Sequence, residues 1–222
     1  MNKASDIYSG SFTENCTKNL KRFFIACDVL GLSVIVCVFG PQYQASFSYT
    51  MDHDAQTNSS KRDGYVSALE DLIDLIDDFE SVTAYDLVNE SAYMLSDDSS
   101  TTYTYEQHAT LMDALATGAR AVTKKPIIYS MADGYHGSQA WFYLDSDLYD
   151  CIDQHGYFEP YRNYIGRSLD KVRIVGELGP SSGASTETQK TGETRQGFVL
   201  GKNNSCACYF WERSGRYYSP GS

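Results

Sequence analysis

The sequence of 222 residues predicts an α/β fold with a parallel sheet, of the (β/α)8 TIM-barrel type but incomplete, with about six βα units. Three observations predict it. Helical and strand patterns alternate along the chain, which indicates a parallel sheet. The strand segments are continuously apolar, as strands that are buried on both faces are. Polar and aromatic residues follow several of these strands, at the positions where barrels of this type carry their sites.

The predicted elements follow one another in a regular order. Apolar residues at helical spacing predict helices over residues 14–30, 66–79 and 105–124, and a further one around 162–169. The polar segment 42–62 is predicted to be a loop that contains His53. Short apolar runs that are rich in β-branched residues predict six strands. These are Ser33–Phe39, Val82–Val88, Pro126–Ser130, Tyr149–Asp153, Val172–Val175 and Cys206–Phe210.

The composition fits one globular domain over residues 1–222, with 42% hydrophobic and 21% charged residues. A net charge of −11 argues against nucleic acid or an anionic membrane as a partner, because both require basic patches. No apolar segment is long enough to span a bilayer, and residues 1–6 lack the apolar core of a signal peptide. The six cysteines show no metal-ligand spacing. We therefore expect a monomer without a metal or another cofactor.

Two glutamates directly follow strands that are predicted to be buried, which is an unusual position for a charged side chain. Asn89-Glu90 follows the strand that begins at Val82, and Glu177 follows the strand that begins at Val172. Ionised carboxylates are rarely left unpaired beside a core. Two such groups on separate strands suggest a pair that faces one substrate, as glycoside hydrolysis requires. The loops that bind nucleotide phosphates in other parallel α/β proteins are absent from the sequence.

The motif Val-x-Ala-x-Asp-Leu-Val-Asn-Glu at 82–90 and Val-Gly-Glu-Leu-Gly at 175–179 resemble clan A of the retaining (β/α)8 glycoside hydrolases. The likeness is to family 5, the cellulase and β-mannanase type, which carries a His-x-Tyr after strand six and a Trp after strand eight. His155, Tyr157 and Trp211 match these positions. The resemblance covers roughly residues 14–213, as strands three to eight of the barrel.

This resemblance implies hydrolysis of a β-linked polysaccharide or oligosaccharide, a β-glucan or a β-mannan. Glu90 would be the general acid/base and Glu177 the nucleophile, with carboxyl groups about 5–5.5 Å apart as retaining chemistry requires. Asn89 would bind the sugar 2-hydroxyl, and Tyr157 would hold Glu177. Substrate contacts are also implied for His155 and for Trp211, which would lie beneath the sugar. The family is typically secreted.

The sequence departs from the family pattern at its start. The first two βα units are not recognisable, so the arginine that the family places after its second strand is missing, and we expect an N-terminally truncated barrel. The strand at Ser33–Phe39 ends in Gly40-Pro41, where the family often has a histidine. These departures keep a second hypothesis open, a catalytically inactive carbohydrate-binding protein or barrel fragment.

Four of the site residues also have a purely structural interpretation. Glu90 could be a carboxylate in the first turn of a helix, stabilised by the helix dipole. Glu177 could be a surface residue of a glycine-rich turn, Trp211 a core residue and Tyr157 a loop residue. Their order along the chain favours a glycosidase site. Further groove residues could come from the loop after the third predicted strand, at Asp133, Tyr135 and Trp141.

Overall fold

The computed structural model of the protein describes residues 14–41, 50–95, 102–131, 140–155, 171–176 and 207–208. The chain forms two compact units, and it passes from the first to the second between Ile152 and Asp153. Helices and strands alternate along most of the described chain. In chain order they are α1 (Glu14–Leu30), β1 (Val34–Pro41), β2 (Thr50–Met51), α2 (Ser59–Ile76), β3 (Val82–Val88), α3 (Tyr105–Val122), β4 (Ile127–Met131), β5 (Cys151–Gln154), β6 (Val172–Val175) and β7 (Ala207–Cys208).

The strands of the first unit are parallel, as predicted. Strand β3 lies between β1 and β4, and Asp86 at its middle is level with Cys37 on β1 and Ile128 on β4. The chain then returns beside β4, where the Asp150 N–H donates to the Ile127 carbonyl at 2.9 Å. Strands β3 and β4 are buried almost throughout, with Thr83 the exception, as expected for a parallel sheet that is covered on both faces.

The predicted loop over residues 42–62 is wrong in part. Strand β2 pairs in parallel with the end of β1, and a 3-10 helix, His53–Gln56, follows it. Helix α2 then begins at Ser59. Asn58 is its N-cap, and its side chain accepts a hydrogen bond from the Lys61 N–H. His53 is buried rather than exposed in a loop, with its ring 6.3 Å from that of Tyr103. The sequence did not predict these elements for two reasons. The segment is polar, and a two-residue strand is too short to show periodicity.

Helices α2 and α3 pack closely against each other through a glycine. A Cβ atom added at Gly118 would lie 2.6 Å from Cγ1 of Val66 and 3.1 Å from Oε1 of Glu70. Helix α3 itself begins with a capping box, in which Thr104 and Gln107 exchange side-chain and backbone hydrogen bonds. The packing of these two helices fixes one outer layer of the first unit.

Asp77, at the end of α2, connects β3 with the segment that leads from α3 into β4. Its carboxylate accepts hydrogen bonds from the hydroxyls of Tyr85 (2.9 Å) and Thr123 (2.7 Å). Lys125 donates to the backbone carbonyls of Asp77 and Phe79. Burial and the hydrogen bond to Asp77 raise the pKa of Tyr85 well above its usual value, so this phenol stays a donor at neutral pH. This end of the sheet contributes stability, and the opposite end carries the candidate site.

The second unit contains the end of β5 together with β6 and β7. Strands β6 and β7 are parallel, with Ile174 level with Ala207 and Val175 level with Cys208. The prediction of a strand at Val172–Val175 is confirmed. The predicted helix around 162–169 lies outside the described residues, as do most positions of the predicted strand Cys206–Phe210.

Candidate active site

Asn89 and Glu90 lie at the carboxyl end of β3, as the sequence predicts. The Asn89 N–H still belongs to the sheet, because it donates to the Phe39 carbonyl of β1 at 2.9 Å. The chain leaves the sheet at the next residue and enters a 3-10 helix, Ser91–Leu95. Asn89 is half-buried, whereas the side chain and backbone of Glu90 are together only 8% exposed. The pair is therefore at the carboxyl end of the sheet, with Glu90 buried and Asn89 half-buried.

Glu90 has a backbone conformation that glycine normally adopts. Its φ angle is +49°, and among the described residues no other non-glycine residue has a positive φ. The left-handed conformation costs an L-amino acid about 1–2 kcal/mol. Strain of this kind persists only where the surroundings fix the conformation, and it is concentrated at functional sites. A helix N-cap or first-turn position does not explain this geometry, because such positions have ordinary extended or helical backbone.

Three hydrogen bonds fix the backbone on both sides of Glu90. The Glu90 N–H donates to Oγ of Ser130 at 3.2 Å, and the Glu90 carbonyl accepts the Tyr93 N–H at 3.0 Å. The hydroxyl of Ser91 donates to the Ser130 carbonyl at 3.0 Å. Ser91 and Ser130 have no solvent exposure. A buried donor left without its acceptor costs about 1–3 kcal/mol, which is comparable to the strain at Glu90.

Two further buried polar groups contact each other, Tyr129 on β4 and His108 on α3. Nε2 of His108 lies 3.3 Å from the Tyr129 hydroxyl. Burial lowers the pKa of His108 to about 4 and raises the pKa of Tyr129, so both groups are neutral at pH 7. Nδ1 of His108 has no hydrogen-bond partner among the residues that the structure describes. This pair is thus polar, buried and uncharged.

In the second unit, His155 follows the end of β5 and pairs with an acid. Its Nε2 atom lies 3.4 Å from Oδ2 of Asp153, and His155 is only 2% exposed. Oδ1 of Asp153 accepts the N–H of Gly176 at 2.5 Å. Gly176 directly precedes Glu177 in the sequence. One carboxylate therefore holds both the imidazole after β5 and the backbone after β6.

The structure describes half of the predicted site. It places Asn89 and Glu90 side by side in the first unit and His155 in the second. Tyr157, Glu177 and Trp211 lie outside the described residues. Of the further groove residues, Asp133 and Tyr135 also lie outside this part of the chain. Trp141 is buried in the core of the first unit, with its ring 5.8 Å from that of Tyr129 and 6.0 Å from that of Tyr149.

Two residues that contact predicted site residues were not themselves predicted, Ser130 in the first unit and Asp153 in the second. Both lie at or beside the carboxyl end of a strand, and each had a detectable signal. Ser130 is a polar residue inside the buried run Ile127–Met131. Asp153 and His155 are two positions apart, which places their side chains on the same face where the strand ends. Ser130 contacts Glu90 and Asp153 contacts His155. Neither residue belongs to a family motif that the sequence analysis used.

Within the described ranges, no three His, Cys, Asp or Glu side chains are grouped so that they could hold a metal ion. Among these same residues, no helix is long and apolar enough to cross a membrane. The sequence matches no protein-family model and no curated protein.

Solved glycosidase structures match the chain over most of its length. Endo-glycoceramidase II from Rhodococcus sp. superposes with a TM-score of 0.67 at 14% identity, over 91% of this chain and 61% of that one. A β-1,4-mannanase from the sea hare Aplysia kurodai gives a TM-score of 0.64 at 13% identity, over 90% of this chain and 68% of that one. A GH5_18 protein from Bifidobacterium longum subsp. infantis gives 0.67 at 14% identity, over 90% and 56%.

The chain shares the fold of these glycosidases. The likeness confirms the predicted fold class, parallel strands alternating with helices as in the TIM barrel. The match spans about three-fifths of the length of the glycoceramidase chain. At such identities the likeness shows the fold, which does not by itself determine the activity.

Proposed function

We propose that the protein is a retaining glycoside hydrolase that cleaves β-linked polysaccharide or oligosaccharide. The observation that carries this proposal is Glu90, a buried carboxylate held with a φ of +49° at the carboxyl end of β3 and preceded by Asn89. Strained residues at this end of a barrel strand are typical of catalytic groups. The fold shared with solved glycosidases supports the same conclusion.

In this mechanism the carboxylate of Glu177 attacks the anomeric carbon while Glu90 protonates the departing glycosidic oxygen. The bond from the anomeric carbon to the leaving oxygen breaks, and a glycosyl ester forms on Glu177. Glu90, now ionised, then removes a proton from a water molecule that attacks the same carbon and releases Glu177. The sugar keeps its anomeric configuration because two inversions occur.

Four other residues would bind the sugar or tune the two glutamates. Asn89, adjacent to the acid, would hydrogen-bond the 2-hydroxyl, a contact that strengthens in the transition state. Tyr157 would hold Glu177, and Trp211 would provide an apolar platform beneath the ring. His155 would contact the substrate from the end of β5. Its contact with Asp153, 3.4 Å from Nε2 to Oδ2, would orient the ring.

For the substrate, a β-glucan or a β-mannan is our proposal. A mannanase and an endo-glycoceramidase are among the structures with this fold, and the latter was solved with a cellobiose-like compound. A net charge of −11 disfavours polyanionic substrates.

The proposal is tested by measuring reducing sugar released from a panel of β-glucans and β-mannans. The wild type is compared with Glu177→Gln and Glu90→Gln. Glu80→Gln is the matched control, because Glu80 is exposed at the amino end of the same strand that carries Glu90. We expect both site variants to lose at least about a hundredfold in kcat, while the control keeps its activity.

Two outcomes would contradict this mechanism. Activity that survives Glu177→Gln rules out Glu177 as the nucleophile. Binding of oligosaccharides without hydrolysis by the wild type favours a carbohydrate-binding protein on the same scaffold.

A further inference from the structure

Ser130 contacts two consecutive residues of the segment that carries Glu90. Its Oγ atom accepts the Glu90 N–H at 3.2 Å, and its carbonyl accepts the Ser91 hydroxyl at 3.0 Å. The serine is 40 positions away in the sequence, on a strand that pairs directly with β3. Neither Ser91 nor Ser130 is reached by solvent. The contact is therefore a buried tertiary connection between the ends of two adjacent strands.

These contacts decide which way the side chain of Glu90 points. The N–H bond of a residue and its carbonyl together define φ and ψ, and thereby the direction of its Cα–Cβ bond. At Glu90 the N–H is held by Ser130 and the carbonyl by the Tyr93 N–H. Without the serine hydroxyl, the left-handed conformation would lose the acceptor that offsets its strain.

We propose that Ser130 is a positioning residue, which holds Glu90 in the left-handed conformation and so aims its carboxyl group for proton transfer. This inference rests on the proposed role of Glu90 as the acid/base. Ser130 itself touches no reacting atom in this scheme.

The first test is structural and needs no activity. Nuclear magnetic resonance couplings between the amide proton, Hα and Cα of Glu90 report its φ angle, and amide exchange reports its hydrogen bond. In Ser130→Ala we expect the couplings of Glu90 to become those of a mixture of φ angles. We expect the exchange rate of the Glu90 amide to rise roughly tenfold or more. Ser81→Ala is the matched control. Ser81 is also buried and at a strand end, but it bonds to the Phe24 carbonyl instead.

A second variant covers the case in which Ser130→Ala does not fold. Ser130→Cys keeps nearly the same volume and replaces the hydroxyl with a weak acceptor. We expect it to show the same change in the couplings of Glu90. Unchanged couplings and exchange at Glu90 in whichever of these variants fold would overturn the proposal.

The kinetic test uses two substrates that differ in how much they need an acid. A β-linked disaccharide must have its leaving oxygen protonated, whereas a dinitrophenyl β-glycoside leaves without help. We expect Ser130→Ala to lower kcat/KM for the disaccharide roughly ten- to a hundredfold. The kcat/KM for the dinitrophenyl glycoside should fall far less. A merely structural loss would lower both equally and would overturn the proposal.

Glu90→Gln separates the two ideas. If it shows the leaving-group dependence and Ser130→Ala does not, Glu90 is the acid and the role of Ser130 is wrong. If Glu90→Gln shows no such dependence, the proposed function fails and with it the catalytic role of the serine. The couplings of Glu90 then still decide whether Ser130 holds its conformation.

Discussion

The carboxylate of Asp153 holds the backbone of Gly176, whose N–H donates to Oδ1 at 2.5 Å. The other oxygen of the same carboxylate lies 3.4 Å from Nε2 of His155. A Cβ atom added at Gly176 would lie 2.6 Å from Cγ of Asp153. Position 176 therefore requires glycine for space, since its φ is not in the left-handed region. The residue before the proposed nucleophile is thus set by an acid on another strand.

We expect Gly176→Ala to destabilise the protein by about 1–3 kcal/mol, because the added methyl group overlaps the Asp153 carboxylate. Denaturant unfolding measures this change. In an Asp153→Ala background the same substitution should cost much less, since the space is then vacant. Equal costs in the two backgrounds would show that the two residues are not coupled.

At position 90 the usual order of stability between glycine and alanine variants should be reversed. Within helices and strands alanine is more stable than glycine by about 0.5–1 kcal/mol. At Glu90, with φ at +49°, we expect Glu90→Gly to be more stable than Glu90→Ala by about 1 kcal/mol. Thermal or denaturant unfolding of both variants tests this. Glu80 has no positive φ, so Glu80→Gly should be the less stable member of its own pair.

The buried imidazole of His108 should make stability depend on pH. Its pKa in the folded protein is about 4, below the 6.5 of an unfolded chain, so the unfolded state binds more protons between these values. The contribution of the neutral ring is fully present above about pH 6.5 and is lost as the pH falls toward 4. One pKa unit corresponds to about 1.4 kcal/mol, so the loss amounts to about 3 kcal/mol.

Comparison with His108→Leu isolates this effect from other titrating groups. The free energies of unfolding of both proteins are measured at pH 7 and at pH 5. We expect the wild type to lose more stability over this interval than the variant does. Parallel losses would mean that His108 does not titrate on unfolding in this range.

At the contact between helices α2 and α3, whether Gly118→Ala stabilises or destabilises the protein should depend on Val66. Alanine at Gly118 gains about 1 kcal/mol of helix propensity, but its methyl group would lie 2.6 Å from Cγ1 of Val66. We expect Gly118→Ala to be destabilising by about 1–2 kcal/mol in the wild type, because overpacking outweighs propensity. In a Val66→Ala background it should become neutral or stabilising. A double-mutant cycle by denaturant unfolding measures both values.

The sequence by itself determined the class of fold and the position of the proposed acid. Alternating helical and apolar strand patterns predicted α1 and β1, β3 and β4 close to their observed limits. They also placed Asn89 and Glu90 just after β3, where the structure has them. These features depend on side chains a few positions apart, and such periodicity is written in the sequence directly.

Only the tertiary structure decided how that acid is held. The contact of Ser130 with Glu90 spans 40 positions, and that of Asp153 with Gly176 spans 23. Both depend on which strands are neighbours and on their register, which local periodicity does not specify. The burial of His53 and the short strand β2 have the same origin. The strained φ of Glu90 exists because residues distant in the sequence offset its cost.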